Sequence, residues 1–563
     1  MVYAFTLPTT SPLSFQTFIS SSTHPSLPQA ASTARHALRI ALKAHKRLPR
    51  GSRQDAHLPT VLAALNEYIP YVFTIAHGLT GRPIHHEYTH SGDGDRIDSS
   101  RNMSSLAGEH IEITLRAEIE SSWKPTLSAG NILNTGGSTG ISTAKSFRPR
   151  GARVSGQGID FEIAFTLTTL GYVLSRLARV GVVETLYAAT TQTAEQRLAA
   201  VQNATRNLLH ASSAHGFLAS SPALSAATTA TVPDLDASTQ SALSSLALSE
   251  ATLLAVMKDD AYVTACIQSR NPNDREWMVR APEIPKVRAL LFARLCVRAA
   301  EYAEQANAGL SAVGSGAGRS LRVDEEVIGY AGVLGRVARA RACRFFGIDA
   351  ELAGKTGEGI AWLRAARTPL GLRGGSSAEE EAAGVPAKSG FSRLKREWTE
   401  RREERKIGKD AGSGHGAKGA LDPGDDAGRS EERQVITMLE TKWVKMNDTI
   451  NTQPIPPSAP LLANLPSGRD IHTPPAPYKA DSLDREHLMQ MRAQPDERLD
   501  LHFGSDPDDS DEEPVSAGGR CLLADFLIGP RQPQMCTIDM IPRTMAQAQI
   551  KGYALYALFI SVE

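Results

Sequence analysis

The clearest catalytic pattern in this chain is His86-Glu87-x-x-His90. On a helix this spacing places two imidazoles on one face to bind zinc, and the glutamate can act as a general base. Pro83 stands just before the motif and residues 91–94, Ser-Gly-Asp-Gly, follow it, so a helix here would be little more than one turn. A third ligand is not obvious. We therefore interpret the motif as a polar loop, and a zinc hydrolase that uses these three residues is kept as an alternative.

A second pattern, Gly-Lys-Thr at residues 354–356, resembles the end of a phosphate-binding loop. That loop requires a glycine at the position of Asp349, and it requires a preceding strand where the apolar pattern here predicts the end of a helix. A turn between two helices explains the residues better. No Ser/His/Asp set or Cys/His pair stands in a recognisable context, so we predict no catalytic residues, no metal and no cofactor.

The composition excludes several classes of protein. The 563 residues include 61 basic and 61 acidic side chains, which gives zero net charge, whereas a general nucleic-acid binder would be strongly basic. The five cysteines have no paired spacing, which indicates a reducing compartment. No apolar run approaches the roughly 20 residues that span a bilayer, and residues 1–23 lack the pattern of a signal peptide. We expect a cytoplasmic protein.

The strongest helix signal spans residues 159–180. Its apolar stripe recurs every three or four residues, as one face of a helix does: Ile163, Leu167, Leu170, Leu174 and Leu177. Aromatic residues lie off this stripe, which predicts burial on more than one side. Gly171 costs about 1 kcal/mol in mid-helix, so we expect another helix to approach closely there. Glu162 is interpreted as a polar exception near the helix N-terminus, where the macrodipole favours a carboxylate.

Periodicity elsewhere predicts a succession of helices and an all-α fold with tetratricopeptide-like hairpins. The further predicted helices are 30–46, 59–79, 111–127, 193–218, 236–257, 282–310, 323–346, 357–367, 391–409 and 431–450. The helix at 391–409 is rich in both charges and is interpreted as a solvated helix or short coiled coil. A membrane-surface role through its basic excess is kept as an alternative. Trp123 is the large buried candidate of helix 111–127. A short extended or β segment is expected at the N-terminus.

Composition also divides the chain into a helical domain, residues 1–475, and a tail, residues 476–563, that we expect to be mostly disordered or irregular. Gly/Ser-rich or low-complexity stretches predict disordered insertions at about 128–157, 371–390 and 410–430.

Several of these stretches together resemble the BRO1-domain family, in the family's order and over roughly residues 1–475. Phe161-Glu162 with Leu170-Gly171 is similar to its Phe-Glu helix, and residues 357–366, Gly-Glu-Gly-Ile-Ala-Trp-Leu-Arg-Ala-Ala, are similar to its most specific signature. The remaining matches are 66–71, 248–254, 291–302 and 442–457. The resemblance implies an elongated, curved helical scaffold.

Within that family the chain most resembles the fungal PalC type of ambient-pH signalling, on residues 66–71, 158–162 and 465–472. The resemblance implies a non-enzymatic adaptor that binds the C-terminal amphipathic helix of the Snf-type ESCRT-III subunit. It further implies recruitment to the plasma membrane or endosome through partners, among them other pH-signalling proteins, and assembly of the complex that activates a PacC-type transcription factor by proteolysis.

The binding residues that the resemblance implies are Leu253, Leu291, Leu295 and Leu363. A partner helix would lay its apolar face into a hydrophobic patch that these leucines form. Leu291 and Leu295 are one turn apart and can face one ligand, although apolar residues are usually inside a protein and plain core packing stays open for each. The other reading is a generic helical-repeat scaffold of endosomal trafficking that binds a different peptide.

Overall fold

The computed structural model describes residues 1–83, 109–128, 153–188, 193–221, 232–268, 286–313, 322–372, 425–473 and 475–493. Most of these residues are helical, so the predicted fold class is confirmed. The helices are α1 Leu27–Arg47, α2 Ser52–Asp55, α3 Leu58–Thr80, α4 Ile159–Thr185, α5 Ala194–Ser220, α6 Ala237–Met257, α7 Ala261–Gln268, α8 Lys286–Ala312, α9 Glu325–Leu352, α10 Thr356–Arg367, α11 Arg429–Met446, α12 Ser458–Ala463 and α13 Arg485–Met491.

The long helices pack on their neighbours in chain order. Helix α4 contacts α3 and α5, α6 contacts α5 and α8, α8 contacts α9, and α9 contacts α10. A helix held between two others must be apolar on two sides, and α4 accordingly buries nearly every residue from Phe161 to Ser175. Within the described residues, no helix combines the length and the apolarity needed to cross a membrane.

The close approach expected at Gly171 is present. A Cβ built on Gly171 would overlap the imidazole of His215 on α5. The Nδ1 atom of His215 lies 2.6 Å from the Gln240 side-chain oxygen on α6, and burial lowers the pKa of His215 to about 4. The glycine thus makes room for a buried, neutral histidine that connects three helices.

The prediction of a helix at residues 111–127 is wrong. Strands β3 Ile113–Leu115 and β4 Glu120–Lys124 occupy this region. Side chains in β4 alternate, with Ser121 and Trp123 buried and their neighbours facing outward, which is the two-residue period of a strand. The prediction of a buried Trp123 is nevertheless correct.

The strands form two small antiparallel sheets that include the N-terminal segment. Strand β1 Thr9–Thr10 pairs with β4, which pairs with β5 Val154–Gln157, and β2 Ile19–Ser21 pairs with β3. The expected N-terminal β segment is therefore present. The insertion predicted at about 128–157 contains a strand at its end, and residues 129–152 of it lie outside the described residues.

A buried carboxylate connects this sheet region to the helices. Glu162 accepts hydrogen bonds from Arg35 Nε at 2.8 Å, Tyr68 Oη at 3.0 Å and Trp123 Nε1 at 2.7 Å. Burial alone would raise the pKa of Glu162, but the Arg35 guanidinium and these hydrogen bonds hold it below its ordinary value. Glu162 lies in the first turn of α4, as predicted, and it is in addition an ion-paired core residue.

Helix α11 is attached to the scaffold by a second buried ion network. Glu432 accepts from Arg341 Nε at 2.9 Å and from Arg344, and Arg344 also pairs with Asp260; all four side chains are buried. These contacts hold α11 against α9, although α9 ends at Leu352 and α11 begins only at Arg429. The insertions predicted at 371–390 and 410–430, and the charged helix at 391–409, lie outside the described residues except for 371–372 and 425–430.

After α11 the chain makes one turn of π-helix, Asn447–Asn451, and then crosses the scaffold as a segment that we call the strap, residues 452–473 and 475–493. The compact unit that contains the helices is Met1–Pro495. The predicted domain boundary at residue 475 falls within the strap, and most of the predicted tail, residues 494–563, lies outside the described residues.

Candidate functional site

The four leucines that sequence resemblance suggested do not form an exposed patch. Leu253 on α6, Leu295 on α8 and Leu363 on α10 are at most 1% exposed. Helix α8 packs between α6 and α9, so the side of α8 that carries Leu295 points into the core. A partner cannot reach a side chain that is already enclosed, and for these three residues the structure contradicts the exposure that the prediction required.

Leu291 differs from the other three because it is only partly buried. It shares one stripe of α8 with Arg294, Arg298 and Tyr302, at spacings of three, four and four residues. Its neighbour Leu290 is 47% exposed. This stripe, from Leu291 to Tyr302, is the α8 face, and it combines an apolar end with two guanidinium groups and a phenol.

The strap lies along the α8 face and pairs with its polar groups. Arg294 Nε donates to the Ser467 carbonyl at 3.2 Å, and the Arg469 amide donates to the Arg294 carbonyl at 3.1 Å. The Asp470 carboxylate accepts from Arg298 Nε and from Tyr302 Oη, each at 2.7 Å.

The charged groups of this contact attract each other, but their side chains remain accessible to solvent. Hydrogen bonds from Arg298 and Tyr302 lower the pKa of Asp470. Arg298 also pairs with Glu301 on its own helix at 2.8 Å and stacks over the Tyr302 ring at 4.4 Å from its centroid. The ion pair with Asp470 is therefore one of several interactions that fix the Arg298 guanidinium.

A glycine allows the strap to approach this closely. A Cβ added to Gly468 would lie 2.7 Å from the backbone nitrogen and the Cα of Arg298. Real side chains do not occupy such positions, and helix backbone cannot move aside as the end of a flexible side chain can. Gly468 is therefore required for the observed contact.

The strap also contacts α10, α6 and α5. Before it reaches α8, α12 packs on α10, with Leu461 and Leu462 partly buried. Beyond α8, His472 lies beside the backbone of Ala251 on α6, and the Ser213 hydroxyl on α5 donates to the Ala476 carbonyl at 2.7 Å.

The far end of the strap is anchored more firmly. Tyr478 stacks on His210 of α5, and His487 lies against Tyr71 of α3. The last contact is a backbone hydrogen bond from Ala493 to Thr23 at 2.8 Å. The strap thus crosses α10, α8, α6, α5 and α3 and ends beside the start of α1.

Sequence reasoning missed the polar half of this site. Arg298, Tyr302 and Asp470 were read only as parts of longer resembling stretches, because 168 residues separate Tyr302 from Asp470 in the chain. Two features of the sequence could have indicated the site. Arg294 and Arg298 repeat along one helix face, and an isolated Gly-Arg-Asp sequence follows at 468–470.

The catalytic patterns gain no support from the described residues. The motif His86, Glu87 and His90 lies outside them. Among the residues that the structure describes, no group of three or more His, Cys, Asp or Glu side chains is placed to hold a metal ion. Gly354 has φ +79° in the turn between α9 and α10, so the predicted helix–helix turn is confirmed.

Together these elements define a mostly helical protein in which an extended segment, the strap, crosses a row of packed helices. Comparison with known proteins gives its family. No family model matches the chain. The pH-response regulator protein palC of Emericella nidulans is 58% identical over 522 residues, which cover 92% of this chain and 97% of that protein. The chain belongs to the family of this pH-response regulator.

Solved structures with BRO1 domains are similar at a lower level. A complex titled ALIX BRO1 CHMP4C has a TM-score of 0.45 and 13% identity, covering 85% of this chain and 96% of that chain. A structure titled as the basis for endosomal targeting by the Bro1 domain has a TM-score of 0.40 and 12% identity, covering 87% of this chain and 95% of that chain. At these values the likenesses carry no inference about ligands or site residues.

Proposed function

We propose that this protein is a non-enzymatic adaptor of ambient-pH signalling that binds the C-terminal amphipathic helix of the Snf-type ESCRT-III subunit. The observation that supports the pathway is the 58% identity to the palC regulator over nearly the whole chain. By binding the ESCRT-III helix, the adaptor would be recruited to the plasma membrane or endosome. There it would help assemble the complex, with other pH-signalling proteins, that activates the PacC-type transcription factor by proteolysis.

The chemistry of the α8 face supports a helical ligand at that place. Leu290 is exposed and Leu291 is partly exposed at the apolar end, and Arg294 and Arg298 offer positive charge in the following turns. A partner helix would place its apolar residues on the leucines and its acidic residues beside the guanidinium groups. Of the four leucines that the sequence suggested, Leu291 is the one that keeps this role.

The test is the binding of the isolated ESCRT-III helix to the full-length chain, measured by titration calorimetry. Leu291→Asp places a charge in the apolar contact, and we expect at least a tenfold loss of affinity, which corresponds to about 1.4 kcal/mol. Ile40→Asp is the matched control, because Ile40 is also a surface aliphatic residue, 52% exposed, but lies on α1. Equal affinity of the wild-type and Leu291→Asp proteins would show that the helix docks elsewhere.

The cellular part of the proposal has its own test. A strain carrying Leu291→Asp should fail to process the PacC-type factor at alkaline pH, and the Ile40→Asp strain should process it normally. If the Leu291→Asp protein no longer binds the ESCRT-III helix and the strain still processes the transcription factor normally, ESCRT-III binding is not needed for the pathway.

A further inference from the structure

The strap is attached unevenly along its length. Among its described residues, none of the side chains from 452 to 482 is fully buried, whereas Leu483, Leu488 and Met491 are. Burial of apolar side chains supplies most of the stabilisation in such contacts. The middle of the strap, over α10 and α8, is therefore held much more weakly than its end beside α1 and α3.

The contacts that hold the middle are also exposed to water. Asp470 is 53% exposed and Arg298 33% exposed at their side chains, and solvent-exposed ion pairs of this kind add little to stability. Such contacts specify where the strap lies without preventing its release.

The strap begins at a strained joint. Thr452 has φ +47°, the left-handed region that a β-branched residue rarely adopts, directly after the π-helical turn Asn447–Asn451. The Asn447 side chain holds this joint by donating to the Gln453 carbonyl at 2.9 Å and accepting from the Gln453 amide at 3.0 Å. A strained joint at one end and a buried anchor at the other leave the middle as the segment that can lift.

The middle of the strap carries the chemistry expected of a ligand for the α8 face. Leu465 is partly buried against the scaffold, and Asp470 supplies the carboxylate that Arg298 and Tyr302 bind. The segment therefore combines a leucine with a carboxylate five residues later.

We propose that residues 464–472 are an internal ligand that covers the α8 face, and that an acidic amphipathic segment of the partner binds there by displacing them. This inference rests on the proposed function, since it names the regulation of the same site. The apparent affinity of the partner is then its intrinsic affinity multiplied by the fraction of molecules in which the strap is lifted. Weakening the strap alone must therefore tighten partner binding.

The experiment measures the binding of one synthetic peptide, the C-terminal helix of the Snf-type ESCRT-III subunit, to five full-length proteins: the wild type and four variants. Gly468→Ala forces the strap away from the Arg298 backbone, and Asp470→Asn removes its charge from Arg298 and Tyr302. Glu486→Gln is the control, because Glu486 is an exposed acidic residue of the strap far from α8. Hydrogen–deuterium exchange of residues 464–472 reports strap opening in each protein without the peptide.

We expect faster exchange at 464–472 and about fivefold tighter peptide binding in Gly468→Ala and in Asp470→Asn, with the control equal to the wild type. Arg298→Gln should also show faster exchange but no gain in affinity, because the guanidinium that it removes binds both the strap and the partner.

The other outcomes separate the two proposals. Peptide binding that is unchanged or weaker in proteins with an opened strap would overturn the internal-ligand proposal and leave the adaptor function standing. No peptide binding in any of the proteins, including those with an opened strap, would overturn both.

Discussion

Among single residues, Glu162 on α4 connects three other elements of the core. Its carboxylate receives hydrogen bonds from α1, α3 and β4 through Arg35, Tyr68 and Trp123, and both members of the Arg35 ion pair are at most 1% exposed. A buried guanidinium that loses its counter-charge is costly, so this carboxylate is a point at which one substitution can unfold the scaffold.

We predict that Glu162→Gln lowers the free energy of unfolding by about 3–5 kcal/mol at neutral pH, measured by chemical denaturation. The folded-state pKa of Glu162 lies below its ordinary value of 4.5. Its stabilisation is therefore present above pH 4.5 and is lost as the pH falls through the folded-state pKa, so the difference between the two proteins should shrink in acid. Glu67→Gln, an exposed position on α3, is the control; a similar small effect of both substitutions would contradict this role for Glu162.

Residue-level prediction from the sequence succeeded where the signal was local. Gly171 lacks a side chain in mid-helix, and that alone predicted a close neighbour, which is His215. The partners of Glu162 could not be predicted in the same way, because Arg35 is 127 residues away and Tyr68 is 94 residues away in the chain. Charge pairs between distant residues leave no periodic pattern.

At the scale of elements, the face that a helix presents decides which leucines can bind a partner. Leu291 and Leu295 are one turn apart and look equivalent in the sequence, yet the first is partly exposed and the second is 1% exposed. The difference arises because α8 contacts α6 and α9 on two sides, and the sequence does not state which neighbours a helix has.

We therefore predict opposite consequences for the same substitution at the two positions. Leu295→Asp buries a charge without a partner, which costs several kcal/mol, and should lower the melting temperature sharply or prevent folding. Leu291→Asp should leave the melting temperature within a few degrees of the wild type. Circular dichroism melting curves measure both, and a stable, fully folded Leu295→Asp protein would contradict the burial described for α8.

The predicted elements were right where helical periodicity was long and wrong where strands were short. Helices α4, α5, α6 and α10 lie within a few residues of their predicted bounds. Residues 111–127 were predicted as one helix, but they contain two strands of three and five residues whose pairing partners are elsewhere in the chain. Short strands of that kind have too few residues for a clear two-residue period.

Across the whole molecule, the strap brings distant parts of the chain onto one surface. It leaves the last long helix at Thr452, passes α8 near Gly468, and ends beside Thr23 near the N-terminal sheet. The sequence showed a proline-rich exit after residue 450 but not its course, since an extended segment gains its position from the groups that it crosses. The candidate site therefore needed the structure, whereas the helical class did not.

Hydrogen–deuterium exchange of the full-length protein, with and without a saturating amount of the ESCRT-III helix peptide, tests the assignment of the α8 face most directly. We predict slower exchange in residues 288–302, where the peptide covers the α8 face, and faster exchange in residues 464–472, which it displaces. Slower exchange confined to other helices, with both of these segments unchanged, would contradict the assignment of the α8 face as the binding site.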